Sequence, residues 1–263
     1  MPTLIVNDLE MYYEIHGKGQ PLMLLHGLGS SSRDWEMQVR HFSARYKVVL
    51  CDLRGHGRTS KPRGRYSIAQ FSDDVAALLA SLKLDPVHLV GISMGGMVAF
   101  DFAIRFPDML KSLTIINSYP ETRIENLKDR LMAWRRFFLL EALGLRQMGA
   151  VLANHLFPEQ EDLRKKFVDR WGENDKRAYR ESLRAVIDWD VEGRIHEITC
   201  PTLVVASDQD YFPLAEKQAY VSKMRDAKLV VIENARHAVT VQKPEQFNRI
   251  LDEFLSGLSW SAD

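Results

Sequence analysis

One hexapeptide in this 263-residue sequence carries its clearest chemical signal: Gly91-Ile92-Ser93-Met94-Gly95-Gly96. The serine stands in a GxSxG pattern, between an apolar run from His88 to Ile92 and a helical pattern from Met94 to Phe106. That strand-turn-helix setting holds a serine hydroxyl above a sheet as a nucleophile. Glycines at 91 and 95 leave room for a sharp turn with a strained seryl backbone. At the helix start, the Met94 amide can face a developing oxyanion, where backbone donors and the helix dipole favour negative charge. A serine so placed needs a base, and the base needs an orienting acid.

The chain order serine, acid, histidine puts the base after the last strand. His237 meets that requirement in Asn234-Ala235-Arg236-His237-Ala238, between the run Leu229 to Ile232 and the closing helix. His16, His41, His56, His88, His155 and His196 lack such a placement. For the acid, Ala206-Ser207-Asp208-Gln209-Asp210-Tyr211-Phe212-Pro213 offers two carboxylates at the end of a strand. Asp210 stands deeper in the loop and is the expected acid, with Asp208 capping the turn. A second oxyanion donor is expected from His26-Gly27-Leu28-Gly29, which follows the run Leu22 to Leu25 and can present the Leu28 amide. His26 itself is read as a prop for that turn.

The elements needed to bring these residues together are visible in the pattern. Thr3 to Val6 and Leu9 to Ile15 are β-prone runs separated by Asn7-Asp8, a hairpin turn. Pro21 to Leu25, Tyr46 to Cys51, Val87 to Ile92, Ser112 to Ile116, Pro201 to Ala206 and Lys228 to Ile232 are nearly continuous apolar runs, as strands covered on both faces are. Helical patterns alternate with them over Trp35 to Phe42, Ile68 to Leu82, Met94 to Phe106, Leu214 to Val221 and Pro244 to Leu255. The class is therefore α/β with a mostly parallel sheet. From Tyr119 to Arg194 no strand is found, only amphipathic segments with Ile124, Leu127, Leu131, Trp134 and Phe138 on one face. The expected organisation is a core of residues 1–118 and 195–263 interrupted by a helical cap of residues 119–194.

Composition narrows the function. Thirty-five basic and 35 acidic side chains cancel, so neither nucleic acid nor an anionic membrane surface is an expected partner. The amino terminus lacks the basic start and apolar run of a secretory signal, and no stretch has the uninterrupted apolar length of a membrane span. Cys51 and Cys200 read as core hydrophobes rather than a redox pair, and no zinc spacing is present. A cytoplasmic setting is expected, with no metal or organic cofactor.

Taken together, His26-Gly27, Asp52-Leu53-Arg54-Gly55-His56-Gly57, the elbow Gly91 to Gly96, Asp210 and His237 make the sequence resemble the α/β-hydrolase superfamily with a helical cap, over nearly the whole chain. The resemblance implies an α/β-hydrolase fold and gives Asp52 to Gly57 the role of a turn beside the active site. Related dehalogenases and epoxide hydrolases carry an aspartate nucleophile where this chain has Ser93, which speaks against those activities. The expected function is hydrolysis of a carboxylic ester through an acyl-enzyme, with a lactone, an enol-lactone or a carbon-carbon bond as alternative targets. A small-molecule receptor with the same three residues is the reading from another class. The apolar cap suggests a small to medium, partly hydrophobic substrate, with Trp134, Phe138 and Trp189 as candidate contacts. Arg135 or Arg136 could bind a substrate carboxylate, although adjacent helical residues diverge and at least one should face solvent.

Overall fold

The structure, a computed structural model, describes residues 2–122, 127–187 and 189–258; the side chains of residues 127–130 and 132–135 lie outside the described set. In chain order the strands are β1 (Thr3–Val6), β2 (Leu9–His16), β3 (Gln20–Leu25), β4 (Tyr46–Cys51), β5 (Val87–Ile92), β6 (Leu110–Ile116), β7 (Thr202–Ser207) and β8 (Ala227–Ile232). They form one sheet in the order β1-β2-β4-β3-β5-β6-β7-β8. The pairs β1/β2 and β2/β4 are antiparallel and all the others parallel.

The continuous apolar runs are explained by the pleat, because successive side chains leave a strand on opposite faces. In β3, Met23 and Leu25 enter one core cluster while Leu22 and Leu24 enter the other, and all four are fully buried. Burying each is worth about 1.5–3 kcal/mol, so a polar residue on either face would cost heavily. The first cluster is closed by α2 (Ile68–Leu82) and α3 (Met94–Arg105) through Phe71, Val75, Leu79, Val98 and Phe102. On the other face lie α1 (Glu36–Phe42) and α9 (Pro244–Gly257), through Phe42, Phe247, Leu251 and Leu255. Local signals set the helix ends: the Ser67 side chain accepts the Gln70 amide at the start of α2, and Pro244 occupies the first turn of α9.

Between β6 and β7 the chain forms α4 (Leu127–Leu156), α5 (Glu161–Gly172) and α6 (Lys176–Val186). Non-helical Gly144, at φ 74° and ψ 174°, breaks α4 into two segments. Of the apolar face expected at its start, the two described side chains are exposed, Leu131 by 67% and Phe138 by 61%. Burial on α4 instead falls on Leu140, Leu145, Met148, Ala153 and Leu156, because α5 packs along this helix together with α6. Ile124 lies outside the described residues, as do the side chains of Leu127 and Trp134. Two shorter helices, α7 (Leu214–Val221) and α8 (Val239–Gln242), follow β7 and β8. No helix among the described residues is long and apolar enough to cross a membrane.

Candidate active site

The register of the parallel strands brings five loops to one rim. Leu25 pairs with Gly91, Ile92 with Ile116, Ile116 with Val205, and Ser207 with Ile232. The carboxyl ends of β3, β5, β6, β7 and β8 therefore stand level, and the residues after them meet there. These are Gly27 and Leu28, Ser93, Asn117 and Ser118, Asp210, and His237. Ligands of open α/β sheets bind outside this end of the strands.

Ser93 has φ 55° and ψ −122°, a conformation that a residue with a Cβ rarely adopts. The neighbouring glycines permit it by close approach. A Cβ on Gly91 would stand 2.2 Å from the Gly95 carbonyl oxygen, and one on Gly95 2.4 Å from that of Leu25. The turn is fixed by the Ser93 amide, which donates to Ile116 O at 3.0 Å, and by the Ser118 hydroxyl, which donates to Ser93 O at 2.7 Å. Met94 opens α3, so its N–H is among the helix-start donors without an intrahelical acceptor. Opposite it, the loop carrying Leu28 lies against the serine, since a Cβ on Gly27 would be 3.3 Å from Ser93 Cβ and 3.8 Å from its Oγ. Ser30 N donates to Gly27 O at 3.2 Å and closes that loop.

The two carboxylates after β7 separate clearly. Asp208 accepts from the amides of Asn234 at 2.9 Å and Ala235 at 3.0 Å, so it staples the loop after β7 to the one after β8. Asp210 Oδ1 lies 2.6 Å from His237 Nδ1 and also accepts the Tyr211 amide at 2.8 Å. Burial pushes the Asp210 carboxyl up, but the bond to His237 and the charges of His237 and Lys217 outweigh it and hold the group below the usual carboxylate range. The Asp210 side chain is fully buried and the imidazole mostly so.

Two residues in this cluster carry no sequence signal of their own. Asn117, at φ 43°, gives its Nδ2 to Ser207 Oγ at 2.8 Å and to His237 O at 2.9 Å, while its Oδ1 accepts the Ser207 amide at 2.9 Å. With Ser118 holding Ser93, one dipeptide at the end of β6 clamps both the serine turn and the histidine loop. Lys217 of α7 is fully buried, its Nζ 2.5 Å from Asp210 Oδ2 and 3.0 Å from Asn117 Oδ1. In sequence it reads as one more polar residue on a short amphipathic helix.

The other expected residues fall as follows. His26 is fully buried; its Nδ1 donates to Gly27 O at 2.8 Å while its Nε2 accepts the Leu53 amide at 2.9 Å, a neutral ring committed to shaping the loop. Burial lowers its affinity for a proton further. Asp52 accepts the amides of Ser32 and Arg58, each at 2.8 Å, and Arg54 forks onto Asp74 and Asp8, so the 52–57 segment is a turn buried over residues 52–56. Phe138 is exposed, and the side chain of Trp134, like that of Arg135, lies outside the described residues. Trp189 packs half-buried against the core, its carbonyl accepting the Thr122 amide at 2.8 Å. The rings that do flank the imidazole are Tyr211, at 4.5 Å between centroids, and Phe212, at 6.5 Å. Trp171 of α5 covers the Leu28 loop: a Cβ on Gly29 would meet its ring at 2.7 Å, and Asn174 donates to Gly29 O at 2.8 Å. Sequence reading passed over all three aromatic residues, because only the fold brings them to the rim.

Among the described residues no group of three or more His, Cys, Asp or Glu side chains is arranged to hold a metal ion. Cys51 and Cys200 are free thiols that burial raises, Cys200 to about 11.

Comparison with known proteins agrees with this fold. Residues 20–244 match the family model described as the alpha/beta hydrolase fold. Over 261 residues the chain is 29% identical to a putative carbamate hydrolase RutD of Caulobacter sp. (strain K31), covering 94% of this chain and 96% of that one. It is 28% identical over 259 residues to 3-oxoadipate enol-lactonase 2 of Acinetobacter baylyi, covering 95% and 94%. A thermophilic esterase from Thermogutta terrifontis shares the fold with a TM-score of 0.88 over 98% of each chain, at 23% identity. With the match to the family model spanning most of its length, the chain belongs to the alpha/beta-hydrolase family.

Proposed function

We propose that the protein is a serine hydrolase acting on the acyl bond of a small-molecule ester or lactone, with Ser93 as nucleophile, His237 as base and Asp210 as the acid behind it. The observation that carries this reading is the 2.6 Å contact between Asp210 and His237 Nδ1, at a rim shared with a serine in strained backbone geometry. Asp210 fixes the tautomer with the proton on Nδ1, which leaves Nε2 free to take the Ser93 proton. The Ser93 oxygen attacks the carbonyl carbon, and the amides of Leu28 and Met94 receive the charge that forms on the carbonyl oxygen. Collapse expels the alkoxide, which takes its proton from the imidazolium. Water then repeats the sequence on the acyl-enzyme, releasing the carboxylic acid and restoring the serine.

Residues 119–194 act in this reading as the cap over the site. Trp171 is well placed to contact substrate, since it lies over the Leu28 loop and its buried Nε1 has no acceptor among the described residues. Relatives named as an enol-lactonase and as a putative carbamate hydrolase favour lactones and carbamates as the second and third substrate classes to assay. The test is turnover by the purified protein of short-chain p-nitrophenyl esters, a lactone series and carbamate esters, each with the Ser93→Ala variant alongside. Hydrolysis that disappears in the variant supports the reading. Tight binding without turnover, unchanged in Ser93→Ala, supports a receptor instead.

A further inference from the structure

The acid behind the histidine is not alone. Four hydrogen bonds close a ring: Lys217 Nζ to Asp210 Oδ2 at 2.5 Å, His237 Nδ1 to Asp210 Oδ1 at 2.6 Å, Asn117 Nδ2 to His237 O at 2.9 Å, and Lys217 Nζ to Asn117 Oδ1 at 3.0 Å. Lys217 and the Asp210 side chain are fully buried, so neither charge is screened by water. We propose that Lys217 is a positioning residue that neutralises the Asp210 carboxylate from its far oxygen and thereby sets the pH down to which His237 remains available as a base. This rests on the reading of Ser93, His237 and Asp210 as the reacting residues.

A buried carboxylate bonded to a single imidazole draws a proton onto that ring, since the imidazolium is then the only cation compensating it. Here the carboxylate already has a cation. Protonating His237 would place a second positive charge a carboxylate's width from the first. Repulsion between two cations on opposite oxygens of one buried carboxylate opposes that step, because the low-dielectric surroundings screen it little. Burial leaves the group below the usual lysine range, and the charge and hydrogen bond of Asp210 work against that to favour the ammonium.

Among the described residues no second cation besides Lys217 and the imidazole is in hydrogen-bond contact with the carboxylate. Tyr119, beyond β6, and Tyr220, on α7, both feel the Asp210 charge, but burial raises their phenols far above the working range and they stay neutral. Glu216 faces Tyr119, and Arg136 and Arg236 act on Tyr211, whose phenol burial raises to about 12. Asn117 supplies only an amide. Replacing the ammonium by a neutral group therefore removes a charge that no described neighbour restores, and the buried carboxylate is then compensated by a proton that the imidazole takes up from solvent.

The experiment is the pH dependence of kcat/KM for the full-length protein on a short-chain p-nitrophenyl ester, read where leaving-group absorbance does not vary with pH. Wild type is compared with Lys217→Met, Lys217→Gln and Lys217→Arg, with thermal melting of each. The two neutral variants are expected to move the acid limb upward by about one pH unit or more, and Lys217→Arg to keep it near the wild-type position whatever its kcat. Should Lys217→Met fail to fold, Lys217→Gln carries the test, because its amide can still donate to Asn117 and Asp210 while bearing no charge. An acid limb unmoved in the folded neutral variants, or moved equally in Lys217→Arg, overturns the proposal and leaves Lys217 a packing residue. Ester hydrolysis that persists in Ser93→Ala would instead overturn the underlying assignment of the nucleophile.

Discussion

At the scale of single residues, the site is a set of side chains with divided duties. Asp208 and Asp210 are two residues apart in one loop, yet one staples backbone amides and the other meets the imidazole. The proposed mechanism predicts that Ser93→Ala lowers kcat about a millionfold, the loss typical when a triad serine is removed, with binding of substrate preserved. It predicts that Asp210→Asn costs roughly ten-thousandfold, because an amide beside Nδ1 no longer enforces the tautomer that leaves Nε2 as acceptor. Steady-state kinetics on the best ester of the panel measures both. That Ser93, Asp210 and His237 follow the ends of β5, β7 and β8 could be read from the sequence, because each stands within a few residues after an apolar run. Lys217 could not. Its burial depends on α7 folding back under the loop after β7, and nothing in the run Leu214 to Val221 distinguishes a buried ammonium from a solvated one.

At the scale of elements, position is set by close backbone approach and by the end of β6. Gly95→Ala would force a Cβ against the Leu25 and His26 carbonyl oxygens, at 2.4 and 2.6 Å, where only backbone could yield. A destabilisation of about 3 kcal/mol is expected, visible as a lower urea midpoint at unchanged slope. Asn117→Ala would strip hydrogen bonds from Ser207, Lys217 and the His237 carbonyl. Its expected cost is about 1–3 kcal/mol for the buried groups left unpaired, together with a fall in kcat as the histidine loop loosens. The elements themselves were legible: apolar runs marked every strand to within about two residues, the accuracy to which helix and strand ends are defined at all. Their lateral order was not, because the runs of β3 and β4 look alike and only the crossovers decide that β3 lies between β4 and β5. What covers the apolar stripe at the start of α4 was not legible for a related reason. Periodicity says that a helix has an apolar face, but not whether another layer covers it.

At the scale of the whole molecule, acidic and basic residues balance, and the ion pairs tie parts together. Arg170 on α5 reaches Asp34 and Glu36, and Lys166 reaches Glu36, so the helices between β6 and β7 are anchored beside the Leu28 loop. A groove of about 560 Å³ on the β1 and α2 side is lined by Asp8, Arg54, Asp73, Asp74, Phe106 and Met109, but its acids are already paired with Arg54 and Arg105. Stability should follow the buried carboxylates. Burial raises Asp52, yet its interaction with the His26 ring and the bonds from the Arg58 and Ser32 amides bring it below its ordinary value, as His237 and Lys217 do for Asp210. A carboxyl lowered on folding contributes its full stabilisation above the unfolded value, near about 4, and loses it as pH falls through the folded one. Asp74, which burial raises despite Arg54, works in the opposite sense. Melting temperature is therefore expected to be flat above about pH 7 and to fall progressively below about pH 6.5 in calorimetry, first because His26, His56 and His88, held neutral by burial, take up protons on unfolding, and further as pH falls through the carboxylate range.

The claim beneath all of this is that Ser93 is made reactive by His237, and covalent labelling reads it directly. Treatment of the folded protein with a fluorophosphonate, followed by peptide mass spectrometry, should place the adduct on Ser93, and prior His237→Ala substitution should suppress it. An adduct on another residue, or labelling of Ser93 undiminished without the imidazole, would contradict the account.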